Sequence, residues 1–500
     1  MTQGTWDLMQ AASHGTVRDA HLIAAAYMDP ERRDAARVAL AAVLSRARAR
    51  DIIWLEANRP LNRVFDPYYP WPAWNRLAPA DLPVKPGAVH KLATFHANGY
   101  VREAAVAALA SSQDPDVLPF LLLRANDWVD EVAVRARRAL EDRLRIGDAR
   151  SWILVLPYES HVRRLRRRAL GALFDDARRL LLRPEARGVL REALSSGAVD
   201  VRRACAQLVS SLPAKDRMAW LSVAIGDRDP VVATSAGRAL LEGDAAEDTR
   251  EWIGTLLRHR VARVRLLALI SMWARFPAEA HEPSRDALFD TAASVREVAQ
   301  VELRSRGGPP LGATYAEALQ RPRGRGGLLV TISGLSEVGT KSDAALISPH
   351  LHHRSPRVRA EVIRALRRLD ADAYTTAFVE ALHDASPRVA RSAFRALEGR
   401  AHLIDRGKLD AMLAEGGSPA QSALRLLPSV DYWGAMLLCL QLLHRPELHD
   451  VAVEVLRRLL ARQTYSIPPN HAALEQALAL VPKGTPQASR VAAILKLTRR

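Results

Sequence analysis

The chain has 500 residues, of which 72 are Lys or Arg and 55 Asp or Glu, for a formal charge of +17. Its apolar share of 48% is ample for burial, yet no run of about 18 residues is free of charge, so no membrane span is expected. The two cysteines, Cys205 and Cys439, lie in apolar stretches; they exclude a disulfide framework and fit buried thiols in a reducing compartment.

From the N-terminus, Met1–Asp19 has no basic stretch followed by an apolar core, so no secretory leader is expected and a cytoplasmic location is. Asp29-Pro30, then Arg32, Ala36, Ala39 and Leu40, read as a helix start followed by a buried helix face. Residues 1–50 are therefore N-terminal helices with a first repeat. Residues 51–90 break the pattern. Prolines recur there among Trp54, Phe65, Tyr68, Tyr69, Trp71 and Trp74, and such proline density forbids a continuous helix. The segment reads as an ordered insertion. Tyr68, Tyr69, Trp71 and Trp74 are candidates for an aromatic platform, the alternative being a plug that packs over the array.

Residues 91–463 carry a periodic signal. Val101, Val132, Val162, Val201, Val232, Val264, Val295, Val358, Val389 and Val451 recur at steps of 30 to 32 residues, with one step of 39, and Gly327 and Ala420 fill the two gaps. In each copy the fourth, seventh and eighth residues after this anchor tend to be small or apolar, as in Val358, Val362, Ala365 and Leu366. Those offsets share one face of a helix. Asp229-Pro230, Ser355-Pro356 and Ser386-Pro387 mark helix starts, with Asp or Ser expected to cap the first turn. Between anchors, stretches such as Val117–Leu123 and Ala373–Leu382 supply a first helix, so each copy is a helical hairpin. Arg304–Gly327, rich in Gly, Pro and Arg, reads as a flexible inter-helix loop. Residues 464–500 read as C-terminal capping helices.

Half of the anchors are followed by arginine: Arg102, Arg163, Arg202, Arg265, Arg296 and Arg359. An apolar-Arg pair behind proline, with alanines and leucine following, resembles HEAT repeats. The short period is most similar to the subclass named for phycobilisome lyases. The resemblance covers residues 91–463 and the copy near Asp29. It implies an all-α fold, a right-handed α-α superhelical solenoid of about 13 hairpins with second helices on the concave side.

Six positions before the arginine slot stand Asp127, Asp227, Asp290 and Asp384, but His96, His259 and His353 in other copies. Histidine thus replaces aspartate at a structural turn, and no metal site, cofactor or catalytic residue is expected. The arginines are the stronger clue. Arg163, Arg164, Arg167, Arg168 and Arg202, with Arg359, Arg364 and Arg367, fall on expected second helices, where like charge focuses potential toward polyanions. The competing reading is a solvated face paired to acids across the ladder, Arg359 with an aspartate-slot residue being the example. The expected function is a non-catalytic scaffold binding a macromolecular partner, a protein, through a basic concave groove. The alternative is a nucleic-acid binder similar to HEAT-like DNA glycosylases, for which no motif transfers residue by residue. The sequence does not set an oligomeric state.

Overall fold

The computed structural model describes residues 3–58, 74–165, 169–242, 246–307, 310–321, 324–461, 470–479, 481 and 486–498. Every regular element among them is helical, and the helices pair into hairpins. Two compact units follow one another, Met1–Ser271 and Met272–Arg500.

In the first unit the second helices of the hairpins are α1 (Arg33–Ser45), α2 (Gly99–Ser111), α3 (Asp130–Arg145), α4 (Gly171–Leu181), α5 (Val199–Ser210), α6 (Pro230–Leu241) and α7 (Ala262–Arg275), the last crossing into the second unit. In the second unit they are α8 (Ala293–Ser305), α9 (Gly324–Val338), α10 (Pro356–Asp370), α11 (Pro387–Leu397), α12 (Gly417–Leu426) and α13 (Pro446–Ala461). Each is preceded by a first helix, for example Leu118–Arg124 before α3 and Thr375–Ala381 before α11. Second helices stack side by side within each unit at α2 on α3, α5 on α6, and α9 on α10 on α11. Hairpin upon hairpin, each copy covers its neighbour's apolar face.

The repeating stripe is the seam of this stack. Val358, Val362, Ala365 and Leu366 are buried, as are Val389, Ala393, Ala396 and Leu397, and Val232, Ala236, Ala239 and Leu240. Cys205 takes the fourth-residue slot of its copy and is buried, as is Cys439; burial pushes both thiols up to about 12. Asp229 caps α6, its Oδ1 accepting from the N–H groups of Val231 and Val232 at 3.1 Å. Ser355 and Ser386 depart from the expectation: both sit in extended N-cap conformation, but their hydroxyls make no capping bond.

Two further expectations are corrected. The helix starting near Val162 stops there: Glu159–Val162 is a single turn, and Arg163 and Arg164 lie in the turn that follows. The second helix of that copy is α4, in which Leu173, Ala177, Leu180 and Leu181 fill the four buried slots. Val162 holds the periodic register by coincidence, and stacking Arg164 on Arg168 as like charges would have opposed a helix there. The segment Arg304–Gly327 is not a simple loop either, since it contains the helix Leu311–Gln320. Its Tyr315 is buried and donates to Leu288 O at 2.7 Å. Gly334 of α9 occupies the seventh-residue slot opposite, where a Cβ would fall 2.2 Å from a Tyr315 ring carbon. The large side chain has moved to the first helix, and the second helix yields the room. After α13, the helices His471–Ala479 and Pro486–Thr498 pack on one another and on the last hairpin. No helix among the described residues is long and apolar enough to cross a membrane.

Candidate functional site

The arginine and aspartate slots turn out to be halves of one joint. Arg102, Arg202 and Arg359 each reach an aspartate 25 positions on, in the next copy: Arg102 Nη2 to Asp127 Oδ1 at 2.9 Å, Arg202 Nε to Asp227 Oδ2 at 2.7 Å, and Arg359 Nε to Asp384 Oδ2 at 2.7 Å. The remaining nitrogen donates back to the turn of its own copy, Arg359 Nη1 to His353 O at 2.9 Å and Arg102 Nη1 to His96 O at 2.9 Å. The aspartate also accepts the N–H two residues ahead: Asp127 from Val129 at 3.0 Å, Asp384 from Ser386 at 2.8 Å. One side chain thereby closes a turn and fastens a neighbour. Arg296 finds Glu337 instead (Nε–Oε2 3.0 Å), the sequence having Pro322 at the aspartate register.

Histidine does the same work without charge. His96, His259 and His353 accept through Nδ1 from the N–H of Asn98, Val261 and Ser355 at 3.0–3.1 Å. His96 Nε2 then donates to Trp74 O at 2.9 Å, and His259 Nε2 to Ile225 O of the preceding copy at 3.0 Å. Sequence and geometry agree on why: the copies before His259 and His353 carry Ala233 and Leu328 where arginine would stand. With no guanidinium to receive, a carboxylate would be buried uncompensated.

This arrangement requires neutral imidazole, since a ring nitrogen must accept. Burial, with the Arg102 charge acting the same way, holds His96 below its ordinary value. An unfolded His96 therefore binds more protons than the folded one, and stability falls as pH drops below about 6.5, levelling off once the folded-state value is passed. Melting curves between about pH 8 and pH 5 should show a shallower decline for His96→Asn, whose amide can accept the same N–H. Equal slopes for variant and parent would contradict the neutral clasp.

The arginines that remain open to ligands lie elsewhere on the second helices. A groove of about 1060 Å³ runs across α5, α6 and the start of α7, with the turn at Leu156–Arg163 forming one end. Its apolar lining includes Leu156, Pro157, Leu208, Pro230, Val231 and Ala239. Five arginines (Arg163, Arg178, Arg203, Arg238 and Arg263) face three acids (Glu159, Asp200 and Glu242). Glu159 holds both Arg163 (2.8 Å) and Arg178 (2.9 Å). Arg203 forks onto Asp229 at 3.0 and 2.8 Å, and this bond holds the Asp229 carboxyl down at about 2. Asp200 is committed to the N–H of Ala49 at 2.8 Å. Arg238 and Arg263 are exposed and make no ion pair among the described residues. The groove therefore presents two uncommitted guanidinium groups beside an apolar floor.

Of the residues singled out from sequence, only Arg163 borders this groove. Arg164 donates to Ser160 O at 3.0 Å, Arg202 and Arg359 are half-buried clasps, Arg364 pairs with Glu361 in its own helix, and Arg367 is exposed on α10. Arg167 and Arg168 lie outside the described residues, as do Tyr68, Tyr69 and Trp71. Trp74 is corrected: it is 1% exposed and packed edge-on to Tyr27 and His96 at 6.1 and 6.0 Å, so it belongs to the core and not to a platform. The missed residues had a readable signal. Arg203, Arg238 and Arg263 stand two after, six after and one before their anchors, positions that share a helix face turned away from the buried stripe. Arginine directly after the anchor lies on the flank of that stripe, within reach of the next copy.

The chain is thus an all-α helical-repeat protein built of stacked helical hairpins, with its open charge on the outward stripe of the second helices. No family model matches it, and no curated protein does. Among solved structures, it is similar to Kap95p in a structure concerned with its binding to RanGDP (9% identity, TM-score 0.37, covering 96% of this chain and 66% of that one). It is also similar to importin beta crystallised in an ammonium sulfate condition (12%, 0.36, 92% and 63%) and to Kap121p bound to Pho4p (12%, 0.34, 99% and 65%). The chain spans just under two thirds of the length of these structures. At such identities the likeness is one of stacked helices only.

Proposed function

We propose that the protein is a non-catalytic scaffold that holds an acidic, partly apolar segment of a partner protein in the groove across α5, α6 and α7. The observation that carries this is the pairing of Arg238 and Arg263, exposed and uncommitted, with an apolar floor that includes Leu208 and Val231. Protein interfaces combine an apolar core with a polar rim, and charge complementarity at the rim chooses the partner. The finer subclass named for phycobilisome lyases rests on the short repeat period alone. A cytoplasmic location is proposed on the two buried thiols.

The test is a titration by fluorescence anisotropy, at low and physiological salt, of a labelled peptide alternating glutamate and leucine. The parent should bind it, and Arg238→Glu with Arg263→Glu should weaken binding about tenfold or more, roughly 1.4 kcal/mol. A charge-reversed variant that binds as tightly as the parent would remove the groove from the function.

A further inference from the structure

The second unit carries a different cationic surface, and its chemistry is not that of the groove. On α10, Arg357 and Arg364 stand one before and six after the anchor Val358; on α11, Arg388 and Arg395 take the same two positions about Val389, with Arg391 between them. All five are exposed. The two helices pack directly against one another, so equivalent positions lie about one interhelical distance apart, 8–10 Å. Along each helix the two arginines are seven residues apart, about 10 Å of rise. The result is a near-square of guanidinium groups with a fifth inside one edge.

Among the described residues only one carboxylate pairs with this array: Glu361, which receives Arg364 and the Ser333 hydroxyl (2.5 Å). Arg357, Arg388, Arg391 and Arg395 make no ion pair among the described residues. Arg357 and Arg388 are also the second residues of helices with no acid in the first turn. Cations at that positive end oppose helix stability, so these residues are not placed for folding. Neither helix exposes a large apolar side chain. A protein partner would leave the centre of such an interface without apolar contact, and a single strand would lack aromatic platforms for its bases.

We infer that the face formed by Arg357, Arg364, Arg388, Arg391 and Arg395 on α10 and α11 binds the phosphate backbone of double-stranded nucleic acid, without reading its sequence. A duplex offers one negative charge per about 1.7 Å of axis, so a face of this size meets several phosphates at once. Guanidinium is the side chain shaped for phosphate oxygens. This surface is independent of the groove in the first unit, and either reading can fail alone.

The experiment measures binding of the full chain to a labelled mixed-sequence DNA duplex across a salt series. Arg388→Ala with Arg395→Ala, both surface changes, should keep the parent's circular dichroism and melting temperature. The same pair should lower the salt slope of log Kd by about two, one for each guanidinium taken off a phosphate. Arg238→Glu with Arg263→Glu should leave the duplex affinity unchanged within about twofold. The inference is overturned if the Arg388/Arg395 variant binds duplex with the parent's slope. It is equally overturned if polyglutamate at equal charge displaces the duplex as well as unlabelled duplex does, which would make an acidic protein the ligand of this face.

Discussion

Replacing Asp127 by alanine is expected to cost the first unit about 3–5 kcal/mol, the range found when one partner of a buried ion pair is removed. The Asp127 and Arg102 side chains are 0% exposed, and so is that of Arg124, which adds a bond to the same carboxylate at 2.7 Å. Arg102 also lies over the Trp128 ring at 4.1 Å, and Arg124 reaches Glu56. Without the carboxylate, two guanidinium groups would share a dry site with one remaining acid. Burial alone would raise the Asp127 carboxyl, but the hydrogen bond from Arg102 and the Arg124 charge outweigh it and hold the group below the usual carboxylate range. Its contribution is present above the ordinary pKa and is lost as pH falls through the depressed folded value. Asp127→Asn, which can still accept, should lose less. Urea unfolding followed by tryptophan fluorescence gives the answer, and a shift under about 1 kcal/mol for the alanine variant would show that the cluster does not hold the unit together.

Leu366→Glu should do comparable or greater damage in the second unit. Leu366 is 0% exposed and sits in the seam where α9, α10 and α11 stack. The substitution removes packed methyl groups and buries a charge with no partner, which places it in the exceptional class above about 4–5 kcal/mol. Leu366→Ala, which only opens a cavity, should cost about 2–5 kcal/mol. Because each copy is stabilised by its neighbours, the loss should appear as a break in cooperativity between α9 and α11, read by limited proteolysis. A glutamate variant that melts and resists protease like the parent would refute the seam.

The architecture is legible because it is written many times over. Val358, Val362, Ala365 and Leu366 would mean little once, but in register with their equivalents they fix helix, face and partner together. Sequence misleads where one copy stands alone. Val162 keeps the period while the helix it should begin is moved to Gly171–Leu181. The Gly- and Pro-rich flanks of Leu311–Gln320 hide a helix whose Tyr315 fits the space left by Gly334. The candidate site is less legible, for a geometric reason. Charge counts do not separate an arginine on the flank of the buried stripe, such as Arg202, from its neighbour Arg203, about 100° further round the helix. Both bond to an aspartate of the next copy, but only the second borders the groove. Histidine at the aspartate slot reads as structural from its register alone, and the cause becomes visible only with Nδ1 accepting an N–H and Nε2 donating one.

That substitution has a mechanical consequence. Joints fastened by guanidinium and carboxylate keep their charges throughout the neutral range, whereas the one fastened by His96 holds only while the ring carries a single proton. Mild acid should therefore slacken the stack at that one rung and leave the guanidinium–carboxylate rungs tight. The first unit would loosen first at a place its sequence has marked with a single imidazole.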